Sequence, residues 1–374
     1  AYEIGPRLAG TKGEQQAAEY IQKQLEGYGY NVRVQEFKFV NRTTRTRVKA
    51  GLLLAAFIAP LFLSAQYSII AFIAALSLFY VLPQAMPKSR SQNIIGTIGA
   101  KKQKTHVLIG AHYDSARCAV GYGLNVFQRL AFFPSICAFA ICLFARLLGI
   151  LSTSWPIVWT FFALIFFPMG FGMFLSTSSR HVSPGANDNA SGVAVMLEVA
   201  RVAAESPAET ELTFVAFGAE EQGLEGSRAF VKGQKAVDGK IAALNLDMLG
   251  AGKQPFIVEG NGLLRRTRTP PQLNEVLMRC CKSVGLKPRL WWASLAGHDH
   301  IPFVRAKLPA TTFTIDVLTR DRLGDILGML LKLPNSRTRG YRYIHTIDDI
   351  PDRIRLENIE QAGHVVLEFI KTVG

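Results

Sequence analysis

Residues 14–27 read EQQAAEYIQKQLEG, with apolar positions at helical spacing and a closing glycine, and the following NVRVQEFKFV alternates position by position. The first rhythm predicts an amphipathic helix and the second an edge-type strand. Residues 50–84, AGLLLAAFIAPLFLSAQYSIIAFIAALSLFYVLPQ, break both patterns, because not one of them is charged. A helix rises about 1.5 Å per residue and a bilayer core needs about 20 residues, so this run predicts two short spans turning near residues 64–68. Residues 125–175 hold a second such region, LAFFPSICAFAICLFA, then Arg146, then a stretch ending in WPIVWTFFALIFFPMGFGMFL. They predict another hairpin, turning near LSTSWP, with Trp155 and Trp159 at the height of a membrane interface. Buried soluble helices seldom lack charge all round, which favours lipid as the neighbour of both runs.

Outside these runs the rhythm is that of an α/β enzyme. KTHVLIGAHYDS, ELTFVAFGAEE, IAALNLDMLG and ATTFTID read as strands, and ASGVAVMLEVARVAAE reads as a helix. Such alternation predicts a mostly parallel, mixed sheet sandwiched by helices. The hairpins interrupt this α/β domain, which is expected to assemble from residues 1–49, 85–124 and 176–374. Hairpins at 50–84 and 125–175 would then contribute four transmembrane helices. Each hairpin crosses twice, so every piece of the domain stays on one side.

Composition strengthens the membrane reading: 49% of the 374 residues are hydrophobic, 19% are charged and the formal net charge is +14. Arg42, Arg45, Arg47, Lys49, Lys88, Arg90, Arg129 and Arg180 gather at the domain-side ends of the apolar runs, against Arg146 near the far turns. By the positive-inside rule this predicts a multi-pass integral membrane protein whose domain faces the cytoplasm, with anionic headgroups as partners. No nucleic-acid module accompanies the charge, so no nucleic-acid partner is expected. Cys118, Cys137, Cys142, Cys280 and Cys281 have neither zinc-knuckle nor disulfide-framework spacing. The first residues lack a signal-peptide pattern, so targeting is expected from the internal runs.

In open parallel sheets, ligands bind at the carboxyl ends of strands. There stand His112 and Asp114 in AHYDS, Asp188 in GANDNASG, Glu220 and Glu221 in FVAFGAEEQGLEGS, Asp247 in NLDML and His345 in IHTIDD. Singly, each has a plain structural reading, such as a hydrogen-bonded histidine or an aspartate N-cap. Together, two imidazoles and several carboxylates converging on one cleft call for a cation, and that donor set suits zinc.

AHYDS, GANDNASGVAVMLEVAR, FVAFGAEEQGLEGS, NLDML, GHDHIPF and HTIDD, in this order, resemble the motifs of the di-zinc aminopeptidases, metallopeptidases related to the glutaminyl cyclases. The opening GPRLAGTKGEQQAAEYIQKQLEGYGYNVRVQEF is similar to their N-terminal segment. The resemblance runs from about residue 4 to residue 373, apart from the hairpins and some loops. It implies the zinc aminopeptidase fold, peptide substrates with a free N-terminus and two zinc ions per chain. By motif, His112 and Asp247 would hold one ion, Glu221 and His345 the other, and Asp188 both. Glu220 would be the general base, Asp114 would orient His112, and Asp299 and His300 would line the substrate side. His298 departs from the family, which more often has a small residue there. Typical members are soluble and secreted or periplasmic, so location rests here on the apolar runs.

Two alternatives stand beside this reading. A glutaminyl cyclase-like modification of N-termini needs one zinc, for which the full ligand set is superfluous. A noncatalytic peptidase-fold receptor or scaffold would not need the ligands and base that this chain retains. Residues 318–343 place Leu323, Ile326, Leu327, Leu330 and Leu331 at helical spacing before Arg337, Arg339 and Arg342. They predict an amphipathic lid or interfacial segment near the site. The basic loop LLRRTRTPPQL is expected to be solvated.

Overall fold

The computed structural model describes residues 3–99, 105–118, 122–177, 179–205, 211–233, 240–262, 266–294, 296–316 and 343–374. The expected amphipathic segment 318–343 lies outside the described residues, except for Tyr343. The strands are β1 (Asn31–Val40), β2 (Lys88–Ile98), β3 (Thr105–His112), β4 (Glu211–Phe217), β5 (Lys240–Leu246), β6 (Gln254–Asn261), β7 (Thr267–Arg268), β8 (Arg289–Ala293) and β9 (Ala310–Asp316). They form one sheet in the order β1-β2-β4-β3-β5-β9-β6-β7, with β8 also pairing β6. The four central strands, β4, β3, β5 and β9, are parallel. The pairs β1–β2, β2–β4, β6–β9 and β6–β7 are antiparallel. The sheet is therefore mixed, and parallel mainly at the centre, where the candidate ligands cluster.

Side chains on the central strands alternate in destination, as the two-residue period of a strand requires. Val107, Ile109, Leu212, Phe214, Leu244 and Leu246 join a core under the helices α1 (Lys12–Gly27), α6 (Ser191–Glu205), α8 (Pro271–Ser283) and α10 (Leu356–Val373). Leu108, Val215, Phe217, Ile241 and Ala243 turn to the other face, against Phe230 of α7 (Glu225–Gly233) and Phe303 of α9 (His300–Arg305). Burial on both faces is why these strands read as nearly unbroken apolar runs. Phe214 is fully buried and meets Tyr30 edge-on at 5.4 Å between centroids. F214A should lower the unfolding free energy by about 3–5 kcal/mol, since it opens a cavity that the sheet cannot collapse into. Equilibrium denaturation of the solubilised protein checks this, and a loss below 1 kcal/mol would contradict it.

Both apolar insertions leave and return at neighbouring points of the sheet. The helices α2 (Arg42–Ile58) and α3 (Ala65–Ala85) connect β1 to β2, whose ends meet at Val40 and Lys88. An antiparallel pair needs no crossover, so a helical excursion can replace the usual tight turn. The helices α4 (Tyr122–Leu147) and α5 (Trp155–Ser176) leave after β3, and Arg117 bridges Val182 where the chain comes back.

The four helices pack around Leu53, Phe57, Phe72, Phe139, Phe162 and Phe166. Among the described residues, two helices, Ala65–Ala85 and Trp155–Phe174, are long and apolar enough to cross a membrane. Only 22% and 28% of their most apolar stretches are buried, so they are not core helices of the usual soluble kind. Ile70, Ile73, Val81, Ile157, Leu164 and Phe171 point outward. Of the other two expected spans, the described apolar part of one is the shorter Pro134–Leu147, and α2 carries Arg42, Arg45, Arg47 and Lys49 in its first turns.

Three expectations about the insertions change. The first break falls at residues 59–64, ahead of the expected 64–68, where Pro60 opens a short 3-10 turn. Trp155 is buried, with the Arg146 guanidinium 4.6 Å from its ring centroid. Trp159 stacks on Phe57 at 5.0 Å and donates its indole N–H to the Phe57 carbonyl at 3.2 Å. Both rings pack against protein side chains, Trp155 under the Arg146 guanidinium and Trp159 on Phe57, although among the described residues the indole N–H of Trp155 has no hydrogen-bond partner.

Candidate metal centre

His112 is the last residue of β3, Asp247 follows β5 directly, and Glu220 and Glu221 lie in the turn after β4. Asp188 precedes α6, and His345 precedes the short Pro351–Arg353 turn. Three parallel neighbours thus deliver their chemistry to one edge of the sheet. His112, Asp188 and Asp247 form one group whose ligand atoms lie within 4.8 Å of one another, and Asp188, Glu221 and His345 form another. His112 Nε2 is 3.2 Å from Asp188 Oδ1 and 3.8 Å from Asp247 Oδ1. His345 Nε2 is 3.1 Å from Asp188 Oδ2 and 2.9 Å from Glu221 Oε1. Each oxygen of Asp188 therefore faces a different imidazole.

Electrostatics follow from this crowding. Burial opposes charging His112 and His345, but the carboxylates facing them more than offset it and hold both well above the usual histidine range. Burial also opposes ionisation of Asp188, yet hydrogen bonds with both imidazoles keep it well below the usual carboxylate range. Glu220, in neither group, is pushed up by burial, and Glu221, Asp299 and Asp247 add to the effect while His112 opposes it. One buried and one partly exposed imidazole with three carboxylates are a hard-to-borderline donor set of the kind that suits zinc, and their division into two groups sharing Asp188 fits a pair of cations.

The glutamate turn is held from below. Asp114, fully buried, accepts the Glu220 N–H on Oδ1 at 2.9 Å and the Glu221 N–H on Oδ2 at 3.1 Å. Its Oδ1 is 3.6 Å from His112 Nδ1, while its main-chain oxygen is nearer, at 3.3 Å. The geometry thus gives Asp114 the glutamate backbone to hold as well as the expected histidine. Ala219 and Met248, flanking the glutamates and Asp247, adopt left-handed backbones at φ 52° and 55°, as does His345 at 55°. Non-glycine residues reach that region at a cost of about 1–3 kcal/mol and persist where surroundings over-determine them. Gly226 is required for close approach, since a Cβ there would lie 2.2 Å from the Gly218 carbonyl.

Several supporting residues escaped the sequence reading. Asp349, the final residue of HTIDD, accepts the Asn187 and Asp188 amides at 2.8 and 3.2 Å. Asn187 Oδ1 accepts from Gly250 and Ala251 at 2.8 and 2.9 Å, and Asn189 Oδ1 from Met248 at 3.1 Å, so the Asp188 turn is stitched to the Asp247 turn. Arg7 is buried and donates to the carbonyls of Tyr113, Pro184 and Gly185 at 2.7 to 2.8 Å. His298, noted only as a departure from the family motif, places Nδ1 2.7 Å from Asp247 Oδ2, a carboxylate–imidazole contact that orients a ligand. The acidic and amide-rich strings around Asp188 and Asp349 were visible, but their partners lie far away in sequence.

Asp299 and His300 are fully buried, and both line a small pocket together with Phe217, Asn245 and Phe303. His300 Nδ1 is 2.6 Å from Thr312 Oγ1, and burial followed by His298 pushes its imidazole well below the usual range. Burial raises Asp299 to about 7.

The profile of Peptidase family M28 matches residues 176–370. Aminopeptidase YwaD of Bacillus subtilis (strain 168) is 51% identical over 194 residues, covering 49% of this chain and 36% of that protein. Endoplasmic reticulum metallopeptidase 1 of Rattus norvegicus is 31% identical over 191 residues, covering 50% of this chain and 19% of that protein. The chain therefore spans well under half the length of either relative. Among solved structures, BSAP, a zinc aminopeptidase from Bacillus subtilis, is similar with a TM-score of 0.57 at 20% identity, covering 99% of this chain and 91% of that one. The glutaminyl cyclase of Porphyromonas gingivalis gives 0.59 at 15% identity, covering 99% and 93%. These two likenesses are likenesses of fold.

Proposed function

The chain belongs to peptidase family M28, and from that premise we propose that it is a membrane-embedded, zinc-dependent aminopeptidase removing N-terminal residues from peptides. The observation that carries this reading is the division of Asp188 between His112 and His345, with Asp247 and Glu221 completing the two groups. His112, Asp188 and Asp247 would hold one zinc ion and Asp188, Glu221 and His345 the other. When bound, such a pair supplies Lewis-acid polarisation of the scissile carbonyl and acidification of water. Glu220 takes the proton of the attacking water and returns it to the leaving amine, a role that calls for a carboxyl outside the ligand set. Asp114 fixes the backbone from which Glu220 and Glu221 diverge. His298 keeps the second oxygen of Asp247 engaged.

Membrane residence is supported by the outward apolar faces of α3 and α5. Placement of the domain on the cytoplasmic side rests on the basic residues at the helix ends. Some of these already have protein partners: Arg47 donates to the Thr177 carbonyl at 3.1 Å, and Lys49 Nζ sits 4.5 Å from the Phe79 ring centroid. Lys88, Arg90 and Arg180 are exposed, where anionic headgroups can reach them. Protease protection of the domain in sealed vesicles tests the side.

Zinc quantification, with aminoacyl and dipeptide substrates supplied to the protein in detergent and in liposomes, tests the whole reading. The expected result is two zinc ions per chain and release of N-terminal residues. The fold likeness to glutaminyl cyclases favours one competing reading, cyclisation of N-terminal glutamine. One zinc ion per chain together with that product would replace peptide hydrolysis with cyclisation.

A further inference from the structure

We propose that Arg42 and Arg45, in the first turn of the apolar bundle's helix α2, are positioning residues for the glutamate pair, so that a bundle helix forms part of the catalytic scaffold. The inference rests on the reading of Glu220 as base and Glu221 as zinc ligand. The turn from Glu220 to Gly223 is gripped on two sides. From the sheet, Asp114 holds the amides of Glu220 and Glu221. From α2, Arg42 Nη1 donates to the Glu221 carbonyl at 3.0 Å, and the Arg42 amide donates to Gln222 Oε1 at 2.8 Å. Arg45 Nη2 donates to the Gln222 carbonyl at 2.5 Å, while its Nη1 pairs with Glu225 Oε1 at 3.5 Å. Amides on one side and carbonyls on the other leave the peptide planes carrying both glutamates little freedom to rotate.

The helix making these contacts is itself aligned locally. Asn41 caps it by accepting the Thr43 amide at 2.8 Å, which sets the direction of its first turn beside β1. Guanidinium donors are planar and fixed in fork geometry, so they bind main-chain oxygens with more orientational restraint than ammonium groups. Two arginines three residues apart lie on one helix face and can both reach the same turn. At 3.5 Å and still partly exposed, the Arg45–Glu225 ion pair has little worth of its own. The carbonyl bonds, which act directly on the backbone of the candidate ligand, carry the role. Arg47 is the natural contrast: it is on the same helix but reaches Thr177 near the end of α5, and it does not touch the glutamate turn.

The test compares R42Q, R45Q, the double variant, the lysine pair R42K/R45K and R47Q with the unaltered chain in one detergent. Turnover and zinc retention against a competing chelator are both read. Partners outside the ligand set typically change metal affinity or activity by about 10–100-fold. The double glutamine variant should therefore lose about tenfold in kcat with KM within about twofold, and should release part of its zinc at about tenfold lower chelator. The lysine pair keeps a donor at each position and should recover part of both losses, whereas R47Q should retain both. Unaltered kcat and zinc retention in the double variant would overturn the proposal, as would losses in R47Q equal to those in R42Q. If the double variant does not fold, R42Q and R45Q decide separately by the same two readouts. If the unaltered chain hydrolyses no peptide, the aminopeptidase reading fails, while the zinc-retention comparison still decides whether the two arginines hold the turn.

Discussion

E220Q should reduce kcat by about 10²–10⁴-fold, the range spanned by a positioned general base, while the protein keeps its zinc. Glu220 belongs to neither group of candidate ligands, although its neighbour Glu221 belongs to one. Its amide N–H is bound to Asp114, so an isosteric amide side chain leaves the backbone anchor in place. Glutamine cannot accept the proton of the attacking water and return it to the leaving amine, and that deficit falls on turnover. Steady-state kinetics on a dipeptide, with zinc measured on the same preparation, separates loss of the base from loss of metal. Retention of more than a tenth of wild-type kcat at full zinc content would remove Glu220 from the role. Depleted zinc would instead mean that the two glutamates do not divide their work as proposed.

Replacing the shared carboxylate should have the widest effect on the site. D188N should abolish turnover and also remove the stabilisation that zinc confers on the folded chain. A ligand at 100 times its dissociation constant stabilises the folded state by about 2.7 kcal/mol, which for a domain of this size corresponds to roughly 3–5 °C in melting temperature. The unaltered chain, stripped and then reloaded with zinc, should show a rise of that order. D188N should show almost none, because both candidate groups lose a charged oxygen. D247N, which affects one group, should keep part of the rise. Melting curves with and without zinc distinguish these outcomes without reference to activity. An equal rise in D188N and the unaltered chain would show that Asp188 is not shared between ions.

Much of the site was legible because its residues stand at the ends of strands that announce themselves. THVLIGAH, ELTFVAF and KIAALNL are apolar on both faces, and the ionisable groups follow directly at their carboxyl ends. What escaped has a common cause. Arg7 meets Pro184 and Gly185, Asp349 meets Asn187, His298 meets Asp247 and Arg42 meets Glu221, each across a long separation in sequence. Hydrophobic periodicity reports which face of an element is buried, and it is silent on what a polar side chain will meet there. Trp155 and Trp159 show the same limit: aromatic position near a span end suggested an interface, whereas packing turned both rings toward protein partners.

By itself, the sequence determined the α/β alternation, the two apolar insertions and the order of the metal-type motifs. These depend on strand and helix periods, on the absence of charge over long runs, and on residue types, all of which are local properties of the chain. Only the tertiary structure decided that the first insertion replaces the turn of an antiparallel strand pair, that Asp188 presents one oxygen to each imidazole, and that α2 reaches back to the glutamate turn. Those relations depend on where separate stretches of backbone come to lie after burial of the core has set the strand order. Hydrogen bonds between them form only once that geometry exists.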